Sequence, residues 1–95
     1  MPAAFPHAEW WLSMNGIARV RVHLKHDEWL APHDGDGWLT LNEANILLDD
    51  LRKTPRWKQE AANADVTNLL ERAIEFAEAA LDDEADRAGI VQIGE

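Results

Sequence analysis

Ninety-five residues, 46% of them hydrophobic, make one domain with one core, because half of such a chain could not close a second. A formal net charge of −9 argues against nucleic acid or an anionic lipid surface as a direct partner, and the absence of cysteine removes disulfides, thiolate nucleophiles and soft-metal sites together. Apolar runs are only a few residues long and no Lys or Arg precedes Arg19, so no signal peptide or membrane span is expected and the expected location is the cytoplasm.

Residues 1–8 read as an N-terminal arm, 9–41 as a sheet region, 41–89 as a helical region and 90–95 as a tail or extra strand, all within the single domain 1–95. From Glu9 to Leu24 a period of two is interrupted by Asn15-Gly16, which predicts a β-hairpin. A two-residue turn would place Leu12 opposite Arg19 and mix the faces. A three-residue loop, Met14-Asn15-Gly16 with Gly16 at positive φ, pairs Ser13 with Ile17 and Leu12 with Ala18. That register puts Trp10, Leu12, Ala18, Val20 and Val22 on a core face, and Glu9, Trp11, Ser13, Arg19 and Arg21 on the other. On this second face Trp11 would lie opposite Arg19 and Glu9 opposite Arg21.

Asp27 to Gly37 reads as a loop, followed by a short third strand at Trp38-Leu39-Thr40. Thr40-Leu41-Asn42-Glu43 fits a capping box, so a helix starts at Leu41. Its stripe is Leu41, Ala44, Leu47, Leu48 and Leu51, while Ile46 falls among the polar positions. Lys53-Thr54-Pro55 stops that helix and starts another, with Thr54 as N-cap. A last helix, either continuous from Pro55 or starting at about Asp65, is read as far as Ala88-Gly89, with Gly89 as its left-handed cap and Ile90 as the accompanying contact. Its apolar face is Val66, Leu69, Leu70, Ala73, Phe76, Ala77, Ala80 and Leu81. The expected fold is therefore α+β: an N-terminal antiparallel hairpin, in a two- or three-stranded sheet, packed against two C-terminal α-helices.

Catalytic chemistry finds little support. Ser13, three threonines and the absence of Cys and Tyr offer no nucleophile motif, and Gly35 and Gly37 lack the spacing and following lysine of a phosphate loop. His23, His26, His33 and Asp34 do not make a ready-made metal site, because His23 and His26 differ by an odd number along a strand and point to opposite faces. They read as solvated or loop histidines, and no metal, cofactor or enzymatic activity is expected. Asp34-Gly35-Asp36-Gly37-Trp38-Leu39-Thr40-Leu41-Asn42-Glu43 resembles the later part of an EF-hand calcium loop. The resemblance implies oxygen ligands at Asp34, Asp36 and Glu43, although Pro32 stands at its first ligand position and no helix enters it. A glycine-rich turn leading into a capped helix uses every one of these residues as well.

Surfaces carry the rest. Residues 59–95 hold ten acidic side chains against only Arg72 and Arg87, and Glu71, Glu75, Glu78 and Asp82 recur opposite the apolar face of the last helix. Like charges do not stabilise that helix, so the row reads either as a solvated face or as a strip that docks on a basic surface. Five tryptophans exceed what one small core absorbs, and exposed ones, Trp11 first, would anchor a protein partner or a homodimer. The functional expectation is a small acidic, non-enzymatic protein-binding or inhibitor module for a basic or nucleic-acid-binding protein. Its contact residues would be Glu71, Glu75, Glu78, Asp82, Ile46 and Trp11. The Arg-over-Lys composition points towards a bacterial or phage accessory protein. The alternatives are a calcium-binding domain using the degenerate EF-hand-like loop, and an oligomeric structural protein.

Overall fold

The computed structural model describes residues 5–13, 15–25, 28–30, 36–53, 61–82 and 87–92. The chain is α+β, with an antiparallel sheet and two helices. The elements in order are β1 (His7–Leu12), β2 (Ala18–Lys25), β3 (Glu28–Trp29), β4 (Leu39–Thr40), α1 (Leu41–Lys53), α2 (Ala61–Leu81) and β5 (Arg87–Gln92). The sheet runs β3-β2-β1-β5, with β4 also pairing with β2.

The hairpin register is the one the alternation demands: Leu12 opposes Ala18, Trp11 opposes Arg19, Trp10 opposes Val20 and Glu9 opposes Arg21. The Ser13 amide donates to the Ile17 carbonyl, and Gly16 closes the loop at φ 79°. Because alternation continues on both strands, Ala8, Leu12, Ala18, Val20 and Val22 are all buried on one face. Leu39 of β4 and Val91 of β5 join the same core, as do Ala44 and Leu48 of α1 and Val66, Leu69, Leu70, Ala73, Ala77 and Ala80 of α2. Trp10 packs partly buried against this cluster, with its ring stacked on Phe76 at 6.2 Å.

Helix α1 begins where the capping box puts it. The Glu43 amide donates to Thr40 Oγ1 at 3.0 Å, and the Thr40 amide donates to Glu43 Oε1 at 3.0 Å. Helix α1 ends at Lys53; the helix start read at Thr54-Pro55 lies outside the described residues.

Several sequence expectations are corrected. β1 starts at His7, inside the segment read as an arm, and β3 occupies part of what was read as loop. Helix α2 ends at Leu81, and Gly89 is not its cap but a residue of β5, which pairs with β1. Asp82, immediately after the helix, puts a carboxylate where the helix dipole favours cations, and α2 has no basic residue in its last turn. Gly89 instead meets a steric demand: a Cβ there would sit 2.6 Å from Trp10 Nε1, so the strand passes directly against that indole. The buried face of α2 is also rotated from the expected one. Ile74 is buried, whereas Phe76 and Leu81 are 45% and 38% exposed. Phe76 stands at the rim of the helix–sheet interface, where Trp10 covers one side of its ring.

Candidate functional site on the outer face of the sheet

Both helices pack on one face of the sheet, and the opposite face carries the polar and aromatic residues that alternate with the core. Following the register outwards from Glu9 and Arg21 brings His7 directly opposite His23. His7, Glu9 and His23 thus emerge from adjacent strands on the same side, and their ligand-type atoms lie within 4.8 Å of one another. Both histidines are buried, at 5% and 7% exposure, which corrects the reading of His23 as a solvated residue. The physical reason is aromatic cover. The two imidazoles stack at 4.7 Å, the Phe5 ring stands 4.9 Å from His7, and Trp29 meets His23 edge-on at 5.6 Å. Of the other residues in the histidine reading, His26, His33 and Asp34 lie outside the described residues.

Glu9 is the hub. Its Oε1 accepts from Arg21 Nη2 at 3.2 Å, and its Oε2 lies 3.3 Å from His7 Nε2 and 2.8 Å from His23 Nε2. The His23 contact is close, but it lies off the direction in which a ring N–H donates. Neither ring nitrogen of His23 has a hydrogen-bond partner among the described residues. Burial pushes the Glu9 carboxyl up, but the Arg21 charge and the hydrogen bonds from His7 and Arg21 outweigh it and hold it below the ordinary 4.5. Burial pushes His23 below the ordinary 6.5; the Glu9 charge opposes this, while Arg21 and His7 reinforce it. The cluster therefore favours an ionised carboxylate beside a neutral imidazole.

Arg21 is itself clamped. Its guanidinium lies 4.1 Å over Trp38 and 5.6 Å from Trp29, and Nη1 donates to the Asp36 carbonyl at 2.8 Å. Asp36 Oδ1 accepts from the Trp38 amide at 3.1 Å, which orders the turn that presents Trp38. From Asp36 onward the segment read as EF-hand-like forms a turn and a helix cap, with Glu43 engaged at Thr40; Asp34 and Gly35 lie outside the described residues.

Beside the cluster opens a cleft of about 400 Å3, lined by Glu9, Trp10, Trp11, Trp38, Ala88, Gly89 and Ile90. Trp11 lies opposite Arg19, as the register requires; its ring meets Trp38 edge-on at 6.1 Å, while the Arg19 guanidinium donates to the Ala18 carbonyl. Ile90 is 56% exposed at the mouth of the cleft. The other expected contact residues stay apart from this face. Ile46 is exposed on α1, Glu75 and Glu78 are exposed on α2 and Asp82 just beyond its end, whereas Glu71 is half-buried in an ion pair with Arg52 at 2.8 Å.

The sequence reading passed over His7. The signal was present, because the register that pairs Glu9 with Arg21 pairs His7 with His23 two residues further out. No described helix is long and apolar enough to cross a membrane. Comparison of the chain with protein-family models, with curated proteins and with solved structures finds no match.

Proposed function

We propose that this chain is a non-enzymatic protein-binding module for a basic partner, and that the partner's anchor residues enter the aromatic cleft beside β5. The observation that carries this reading is the cleft itself. It joins Trp11 and Trp38 to the exposed Ile90 on the last strand of the sheet, and tryptophan surfaces of this kind concentrate binding energy. The net charge of −9 selects for basic partners and speeds their approach. Glu75, Glu78 and Asp82 have no ion pair among the described residues, so they contribute to that steering without forming the main contact. A second reading, favoured by their exposure, makes the acidic strip itself the docking surface.

Tagged wild-type protein and two variants, used as bait on a lysate of the source cell, separate the readings. Ile90→Lys with Trp11→Ala should lose a basic protein that the wild type retains. Neutralising Glu71, Glu75, Glu78 and Asp82 should slow capture and reduce its salt sensitivity without abolishing it. The opposite pattern favours the strip, and full capture by both variants contradicts both readings. Sedimentation equilibrium of the purified chain tests a second copy as the occupant, the outcome expected of an oligomeric structural protein.

A further inference from the structure

We propose that His7, Glu9 and His23 form a binding site for one divalent transition-metal ion of the zinc class. The imidazoles come from directly opposed positions on β1 and β2, and Glu9 follows His7 by two residues, so all three project from one face. Bonds of about 2.0 to 2.1 Å hold tetrahedral ligands about 3.3 to 3.4 Å apart. The His7 Nε2 to Glu9 Oε2 separation of 3.3 Å already matches that spacing. The His23 Nε2 to Glu9 Oε2 separation of 2.8 Å needs to open by only about 0.5 Å to match it.

A second observation points independently to a ligand. The His23 side chain is 9% exposed, and neither of its ring nitrogens has a hydrogen-bond partner among the described residues. Burying an imidazole in this way is costly, and coordination through Nε2 removes the part of the cost that falls on that nitrogen. The donor set also selects the ion. Two imidazoles and one carboxylate suit zinc, cobalt or nickel, whereas calcium and magnesium take oxygen ligands throughout.

The surroundings fit the same assignment. Arg21 holds Oε1 of Glu9 and leaves Oε2 as the single carboxylate donor, as an outer partner does when it orients a ligand. Phe5 and Trp29 flank the rings and keep water from them. Three protein donors leave one position for water or a fourth ligand. The site does not depend on the protein-binding reading.

The test titrates chelator-treated, full-length protein with zinc chloride by calorimetry and with cobalt(II) by visible absorption. One equivalent should bind, with the intense absorption of tetrahedral cobalt and a rise in melting temperature. His7 and His23 ring resonances should shift on zinc addition. Glu9→Gln and His23→Gln should each weaken binding by more than the roughly 10- to 100-fold that loss of an outer partner costs. The double variant His26→Ala, His33→Ala should bind like wild type. Circular dichroism of the metal-free variants separates ligand loss from unfolding, and should either variant unfold, the ring resonances of wild-type protein decide. Unmoved His7 and His23 resonances overturn the proposal. So does undiminished binding in folded Glu9→Gln and His23→Gln, or binding lost with His26 and His33.

Discussion

Gly37 and Gly16 both have positive φ, 80° and 79°, yet they meet different surroundings. A Cβ at Gly16 meets nothing within 4 Å, whereas one at Gly37 would lie 2.0 Å from Trp29 Cδ1. Gly16→Ala should cost only the left-handed backbone penalty, about 1 to 2 kcal/mol. Gly37→Ala should cost clearly more in denaturant melts, because Trp29 must leave the place from which it covers His23. Equal costs would show that Trp29 moves freely. Protonation is the second handle at this scale. In chelator-treated protein Glu9 and His23 both have folded-state pKa values below their ordinary 4.5 and 6.5. The unfolded chain therefore binds more protons, and the stability these groups contribute is complete above pH 6.5 and is lost as the pH falls through and below those values. Urea melts from pH 7 to pH 4 should show this decline, and His23→Gln should flatten its upper part; an unchanged slope would contradict the assignment to His23. The Glu9–Arg21 pair was legible in the sequence, because alternation from Glu9 to Val22 fixes the register. The same register reaches His7, but the pattern is fainter there, because beyond Glu9 the inward position is occupied by Ala8, too small to extend a visible apolar pattern.

At the scale of elements, the start of α1 was the most legible boundary, since Thr40 and Glu43 satisfy each other's amides through purely local bonds. Thr40→Ala should lower stability by about 1 kcal/mol, while Glu43→Gln, which keeps the reciprocal acceptor, should be mild. Thermal melts check both, and an unchanged Thr40→Ala would mean that the cap contributes nothing. The end of α2 was illegible because Gly89 and Ile90 imitate a helix cap, and what makes them strand is the long-range contact of Gly89 with Trp10 and the burial of Val91. Val91→Ala should cost about 2 kcal/mol, since its side chain is 2% exposed, whereas the neighbouring Ile90→Lys should leave the melt nearly unchanged. If Ile90→Lys destabilises as strongly as Val91→Ala, the assigned faces of β5 are wrong.

For the whole molecule, the sequence conveyed the class, a hairpin beneath two helices, because both periodicities are strong. It did not convey the sheet's width, since β3 and β4 are two residues each and are held by tertiary pairing with β2. That pairing carries Trp29 and Trp38 onto the outer face, where they cover the cluster and wall the cleft. The core and helices thus lie on one side of the sheet, and the proposed metal site and cleft on the other. Neutralising Glu75, Glu78 and Asp82 should accordingly leave the melting temperature unchanged or slightly raised, because these carboxylates lie away from both. The claim that the outer face is the working face is tested most directly by crystals soaked in zinc and measured at the zinc absorption edge. One anomalous peak between His7 Nε2, Glu9 Oε2 and His23 Nε2, within about 2.2 Å of each, is the result expected. A peak only at the acidic row of α2 or in the Asp34 to Glu43 segment, with none at the cluster, would contradict it.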